Sequence, residues 1–243
     1  MSAIIFAGPS LPPRLRPADP RLTWRPPVRQ GEVYRAALEG PAAIGVIDGY
    51  FEVVPTVWHK EILWAMSRGI HVFGAASVGA LRAAELDMFG MKGVGRIYED
   101  FRDGVLEDDD EVALLHGPEE LGYPALTEAM VDIRATLAAA AACGVLDPAG
   151  AAGITAIAKT RYYKERTYPA ILAEAAVAGV PAVAIGAFAA WLSSGRVEQK
   201  HADAAALAAE IGTYLAQDGR PLAVGYQFAD TAAWRAARAR ADA

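Results

Sequence analysis

The sequence predicts an α/β protein: a small parallel sheet with flanking helices, followed by an α-helical C-terminal half. Three observations lead to this fold class. Short apolar runs at 3–6, 43–47 and 70–73 each end close to a glycine. Helical patterns lie between these runs, and from residue 126 onward the patterns are helical throughout. Because strands joined through helices form parallel sheets, we expect a three-layer, Rossmann-like arrangement.

The connections between the strands differ in character. Six prolines among residues 11–30 predict an extended segment without regular structure. A short helix is expected over 31–38. An amphipathic helix is expected over 57–69, because apolar side chains recur there every four residues up to Gly69.

After the third strand the predictions cover shorter pieces. The turn that begins at Gly74 leads into a helix ending at Leu86. Residues 88–96 are glycine-rich and predict a turn, and 98–102 predict a short helical piece. The apolar run 112–116 predicts a fourth strand.

The C-terminal half is predicted from helical runs separated by Pro and Gly. These runs cover the ranges 126–146, 149–167, 171–192 and 197–217. The apolar run 171–192 carries Glu174 and Pro181, which favours a buried pair of helices. The stretch after Trp234 has poor periodicity and is expected to fray. We therefore expect an α/β core over 1–125 and a helical half over 126–243, or one single domain.

Composition narrows the functional classes. A chain of 243 residues is long enough for a complete enzyme. The 23 basic and 29 acidic residues give a net charge of −6, which argues against a broad nucleic-acid surface. The one cysteine, Cys143, excludes an internal disulfide. With no signal-peptide pattern and no membrane-spanning run, we expect a cytoplasmic protein.

A candidate site lies where the strands end. Ligands of parallel sheets bind beyond the carboxyl ends of the strands. The three loops there are Gly8-Pro9-Ser10, Asp48-Gly49-Tyr50 and Gly74 to Ser77, and we expect them to meet at one edge. Small residues two before and two after Ser77 resemble the elbow that carries a serine nucleophile. Ser77 as a simple helix N-cap is the alternative, and both interpretations stay open.

Two charged segments have two interpretations each. The acidic run 107–111 is either a solvated loop or a site for a hard cation such as Mg²⁺. In 161–168, Arg161 and Lys164 are predicted on one helix face, with Tyr168 one turn beyond. Such a face binds an anionic group, or it is an exposed charged end of a helix.

The chain resembles the TfuA-like proteins, a family named from trifolitoxin biosynthesis. The resemblance runs through PPVRQGEVYRAAL (26–38), GVIDGYFEVVPTVWHKEILWAMSRGIHVFGAASVGALRAAEL (45–86), GMKGVGRIYEDFRDGVLEDDDEVALLH (90–116) and RYYKERTY (161–168). It implies a partner of a YcaO enzyme, which uses ATP to activate a peptide amide whose oxygen is replaced by sulfur. It further implies a hydrolase that releases sulfide from the C-terminal thiocarboxylate of a ThiS-like sulfur carrier protein. The precursor peptide is a further expected partner, and no cofactor or metal is expected.

That chemistry suggests roles for residues of the strand-end loops, of the helices beside them and of the segment 161–168. Ser77 is the expected nucleophile, or it orients a water. Lys164 or His59 is the expected proton acceptor, and Asp48 orients that base. The Val78 N–H would receive the oxyanion, and positive charge would polarise the anionic thiocarboxylate. The expected substrate-binding residues are Gly8, Ser10, Tyr50, Gly74, Val78, Arg82, Tyr162 and Arg166.

Two other functions stay in view. One is a non-catalytic docking partner that recruits the YcaO enzyme and the precursor peptide. The other is nucleotide binding by the same loops, although the sequence contains neither G-x-x-x-x-G-K-[ST] nor G-x-G-x-x-G.

Overall fold

A computed structural model describes residues 1–217 and 220–242. Within these ranges the strands are β1 (Ala3–Phe6), β2 (Leu22–Arg25), β3 (Ala43–Val46), β4 (His71–Ala75) and β5 (Lys92–Val94). The helices of the first half are α1 (Glu32–Leu38), α2 (His59–Ser67), α3 (Val78–Leu86) and α4 (Arg96–Arg102). Those of the second half are α5 (Met130–Ala142), α6 (Pro148–Thr160), α7 (Tyr168–Val177), α8 (Ala182–Gly195), α9 (Gln199–Ala216) and α10 (Ala232–Asp242).

The strands form one parallel sheet in the order β2-β1-β3-β4-β5. Ile4 of β1 lies opposite Thr23 on one side and Ile44 on the other. From β1 the chain passes to β2 on one side of the sheet, and from β3 it passes to β4 and β5 on the opposite side. In this strand order the ligand crevice lies at the ends of β1 and β3. The predicted α/β class with a parallel sheet is confirmed.

Both faces of the sheet are covered, which produces the expected three layers. Phe6 and Val46 point to one face, where they pack with apolar residues of α1, α2 and α3. Ile5 and Phe73 point to the other face, where Leu207 and other residues of α9 cover them. The alternation of neighbouring residues between the faces follows from the two-residue period of a strand.

The chain divides into two compact units. The first contains residues Met1–Glu107 together with the chain from His201 onward, and the second contains Asp108–Lys200. This division differs from the expected one at residue 125, because α9 returns to the sheet. The second unit has its own apolar core, built from helices α5 to α8. Every helix within residues 1–217 and 220–242 is too short or too polar to span a lipid bilayer.

Several local predictions were wrong. β2 lies in the segment expected to be irregular, and β5 lies in the expected turn at 88–96. Both strands are short and rely on pairing with β1 or β4, so their apolar pattern is weak. The expected strand 112–116 does not form; His116 alone pairs, in an isolated bridge with Ala125.

The terminal stretch that was expected to fray forms α10 within the described residues. Trp234 anchors it, since this side chain is only 1% exposed and packs against the rings of Tyr34, Trp58 and Trp64. Burial of a large aromatic side chain stabilises a helix whose own periodicity is poor.

Candidate functional site

The carboxyl ends of β1 and β3 are joined by a buried carboxylate. Asp48, which is 1% exposed, accepts hydrogen bonds from the Gly8 N–H (2.8 Å), the Ser10 N–H (3.0 Å) and the Ser10 hydroxyl (2.7 Å). These three donors satisfy most of the capacity of a carboxylate that water cannot reach. The structure thus brings together Gly8, Ser10 and Asp48, as the strand-end argument predicts.

The turn between β4 and α3 lies tightly against the neighbouring backbone. A Cβ atom added to Gly79 would lie 1.8 Å from the Val46 carbonyl oxygen. One added to Gly74 would lie 2.1 Å from the Gly79 carbonyl oxygen. Only glycine permits such close approach, so these two positions determine how near the first turn of α3 comes to β3 and β4.

Ser77 occupies the N-cap position of α3. Its N–H donates to the Ala75 carbonyl oxygen at 2.7 Å, and Ala76 between them has a left-handed φ of +64°. The strained residue of the turn is therefore the one before the serine. The Ser77 side chain makes no capping hydrogen bond and is 2% exposed. Because α3 begins at Val78, the Val78 N–H has no intrahelical acceptor.

His59 lies in a polar cluster at the start of α2. Its Nε2 is 2.7 Å from Glu85 Oε2, and Arg82 Nη1 donates to the same oxygen at 2.6 Å. Arg82 also donates through Nε to the Val57 carbonyl oxygen at 3.2 Å. Burial acts to raise the pKa of Glu85, but the hydrogen bonds from His59 and Arg82 outweigh it and hold this pKa below its ordinary value.

This cluster corrects one predicted role. Asp48 was expected to orient a base, but its carboxylate binds Gly8 and Ser10, and the partner of His59 is Glu85. Glu85 was not among the predicted residues. Its spacing of three from Arg82 on a helix was the one signal in the sequence that pointed to a pair. Tyr50, also expected at this edge, has the Arg29 guanidinium 4.8 Å from its ring centroid.

In the second unit the segment 161–168 is not the single helix that was predicted. α6 ends at Thr160, a 3₁₀ turn covers Tyr163–Glu165, and α7 begins at Tyr168. The Lys164 ammonium lies 5.5 Å from the ring centroid of Tyr162 and 5.4 Å from that of Tyr163. Tyr162 is 49% exposed, so the second unit presents an aromatic ring beside a cation.

Arg166 has a structural position. Its side chain is fully buried, and it donates to Asp110 Oδ2 at 2.7 Å, to the Ala158 carbonyl oxygen at 3.2 Å and to the Arg161 carbonyl oxygen at 3.0 Å. A guanidinium with these partners is not offering its charge to a substrate. The expected substrate-binding role of Arg166 therefore has no geometric support.

The acidic run belongs to the same network. Lys159 binds Asp108 at 3.0 Å and Glu111 at 2.9 Å and also bonds to Asp110, while Arg134 holds both oxygens of Glu111. Burial acts to raise the pKa of Asp110 and of Glu111, yet hydrogen bonds from the basic side chains keep both pKa values below the ordinary range. Among the residues described, no group of His, Cys, Asp or Glu is arranged to hold a metal ion.

These features define an α/β protein with a candidate site at the carboxyl ends of parallel strands. The model of the TfuA-like protein family matches residues 48–167. The chain belongs to this TfuA-like family, whose members are associated with YcaO enzymes and peptide thioamidation. The matched range contains the turn at Ser77 and residues 161–167 of the second charged segment. Comparison with curated proteins finds no match.

Proposed function

We propose that this protein supplies sulfide to a YcaO enzyme by hydrolysing the C-terminal thiocarboxylate of a ThiS-like sulfur carrier protein. The observation that carries the proposal is the turn from Gly74 to Gly79. It sets a serine hydroxyl and a helix N-terminus at the strand-end edge, inside the range that matches the family. The site of action proposed with it is the cytoplasm, in keeping with a chain that has one cysteine.

The chemistry requires donors because a thiocarboxylate is anionic and therefore a poor electrophile. The Val78 N–H at the start of α3 stabilises the negative charge that develops on the carbonyl oxygen, since the N–H groups of Gly79 and Ala80 already donate to the Ile47 and Ser77 carbonyl oxygens. The Ser77 oxygen bonds to the carbonyl carbon and its proton passes to a base. The protonated base gives this proton to the sulfur as the C–S bond breaks, and hydrosulfide leaves with the bonding electron pair. Water then cleaves the resulting ester and restores the Ser77 hydroxyl.

The base is proposed to be Lys164 or His59. His59 has the stronger local support, because the Glu85 carboxylate at 2.7 Å fixes its ring. The Gly8-to-Ser10 loop, held by Asp48, and the ring of Tyr50 are proposed to receive the extended tail of the carrier. Arg82 is proposed to act through the His59 and Glu85 cluster, and Tyr162 to contact the carrier.

The test is sulfide release from purified thiocarboxylated carrier. Ser77→Ala should reduce the rate to background, a loss on the order of 10³-fold or more. Ser194→Ala is the matched control, since Ser194 is an exposed serine on α8, and its rate should equal that of the unchanged protein. Full activity of Ser77→Ala would show that Ser77 is only part of the helix start.

A non-catalytic role is the second candidate, and the burial of Ser77 is the observation that favours it. In that case the protein recruits the YcaO enzyme and the precursor peptide without releasing sulfide. Co-purification with the YcaO enzyme would then be the same for Ser77→Ala and the unchanged protein, and neither would release sulfide above background. Release by the unchanged protein that Ser77→Ala abolishes would exclude this role.

A further inference from the structure

Two adjoining cavities in the first unit form a groove along α10. The larger, of about 550 Å³, lies between the start of α2, Arg82 of α3 and α10. The smaller, of about 220 Å³, lies between α1 and α10. The two cavities share Gln30, Pro55, Ala237 and Arg240 in their linings. We call the two together the α10 groove.

The lining of the α10 groove is basic, although the whole chain carries a net charge of −6. Its basic side chains are Arg35, His59, Arg82, Arg238 and Arg240. Glu61 is the acidic side chain in the two linings. It is already used by the structure, because it accepts hydrogen bonds from the Trp58 N–H at 3.2 Å and the Tyr34 N–H at 3.4 Å. Burial raises the pKa of Glu61 above its ordinary value, although these hydrogen bonds act to lower it.

Acidic side chains neutralise the basic side chains of the groove only in part, so positive charge is left to bind a ligand. Arg240 lines both cavities, and no ion pair joins it to any residue that the structure describes. Arg238 donates to a neutral group, the Tyr34 hydroxyl, at 3.3 Å. At the other end, the single carboxylate of Glu85 is shared by His59 and Arg82. Opposite charges facing such a surface are attracted to it.

The groove also has an apolar wall. Trp58 lines the larger cavity, while Tyr34 and Trp234 line the smaller one. Trp234 is buried in an aromatic cluster, so α10 is a fixed wall. Aromatic surface beside arginine is the composition found at the centre of protein-binding sites.

We infer that the α10 groove binds an acidic peptide segment. Two joined cavities with basic groups at both ends fit several residues of an extended chain better than one small anion. Carboxylates of the peptide pair with Arg240 and Arg238, and its apolar side chains contact Trp58, which is partly exposed. The groove shares His59 and Arg82 with the residues proposed for hydrolysis but includes neither Ser77 nor Asp48. Peptide binding in the groove is measured without the thiocarboxylate, so the inference is tested apart from hydrolysis.

The test is fluorescence anisotropy with a labelled peptide that alternates Glu and Leu, and with the same peptide carrying Gln in place of Glu. The Glu peptide should bind, and its affinity should fall as salt is added. Arg240→Gln should weaken binding about fivefold, as expected for loss of one charged contact at a partly exposed site. Arg235→Gln is the matched control: it lies on the same helix, pairs with Asp230 and lines neither cavity.

Several results would overturn the inference. They are no binding of the Glu peptide, equal binding of the Gln peptide, or an equal loss for Arg235→Gln and Arg240→Gln. Displacement of the peptide by inorganic phosphate, but not by sodium chloride of equal ionic strength, would show a small-anion site instead. Arg240 has no proposed part in catalysis, so sulfide release by Arg240→Gln should be unchanged; this separates failure of the groove from failure of the hydrolase.

Discussion

Two aspartates, one in each unit, are held in different ways. Asp48 in the first unit accepts hydrogen bonds from neutral donors of one short loop, Gly8 to Ser10. Asp110 in the second unit binds two cations, Lys159 and Arg166. Neutral donors of a neighbouring loop fix the path of the backbone, whereas ion pairs connect side chains from separate helices and turns. The strand-end edge is therefore determined by backbone geometry, and the 161–168 region by charge pairing.

The largest effect is expected where backbones touch. Gly79→Ala places a Cβ atom 1.8 Å from a backbone oxygen of β3, so α3 has to move away from the sheet. We expect a loss of about 4 kcal/mol or more in the free energy of unfolding, measured with urea.

Gly212→Ala provides the control for this change. Gly212 lies in α9, and an added Cβ meets nothing within 4 Å. Alanine favours the helix there, so a gain of up to about 1 kcal/mol is expected. If the Gly79→Ala protein were as stable as the unchanged one, close backbone contacts would not determine the strand-end edge.

The second prediction concerns the charge network. Arg166→Met removes a buried guanidinium from the Asp110 carboxylate and from three backbone carbonyls, and a loss of about 3–5 kcal/mol in unfolding free energy is expected. Arg161→Met, in the same segment, breaks a partly exposed pair with Glu174 and should cost less than about 1 kcal/mol. Equal losses for the two variants would mean that burial does not set the importance of these ion pairs.

The third prediction tests the neutral donors around Asp48. Asp48→Asn can still accept from the Gly8 and Ser10 N–H groups through its amide oxygen, but its NH2 group reverses the hydrogen bond with the Ser10 hydroxyl. All three bonds lose their charged acceptor, which weakens them. A cost of about 1–3 kcal/mol is expected in urea unfolding. Asp147→Asn should change stability by less than about 0.5 kcal/mol, because Asp147 caps α6 and asparagine caps equally well. If Asp48→Asn were neutral too, the carboxylate would not hold the loop.

The smallest effect depends on pH. Burial raises the pKa of Asp132 on α5 to about 6, although the Lys200 N–H donates to its Oδ1 at 2.9 Å. The folded state therefore binds a proton more readily than the unfolded chain, so stability from this group rises as pH falls through 6 and is lost at higher pH. From pH 7 to pH 5 the gain should be about 1–2 kcal/mol.

Asp132→Asn should remove that gain. Its Oδ1 can still accept from the Lys200 N–H, so the fold is expected to persist. The lowered pKa values of Asp110 and Glu111 act in the opposite direction but only as pH falls below their ordinary values, so the comparison is made above pH 5. An identical pH dependence for the variant and the unchanged protein would show that Asp132 titrates normally.

Part of the fold followed from local patterns. The runs that became β1, β3 and β4 are apolar and end close to a glycine, and the helix at 57–69 has regular apolar spacing. β2 and β5 could not be predicted in this way, because their hydrogen bonds come from pairing with strands distant in sequence. The same limit applies to 161–168, whose conformation depends on the contact of Arg166 with Asp110.

The sequence by itself determined the α/β class and the meeting of Gly8, Ser10 and Asp48, because parallel strands carry their following loops to one edge. Only the tertiary structure decided the partners of the charged groups, which are Glu85 for His59 and Asp110 for Arg166. It also decided the close contact of Gly79 with the backbone of β3. The physical reason is range. Periodicity and turn residues act over a few neighbours, whereas a charge or a close backbone contact is satisfied by whichever group the completed fold brings beside it.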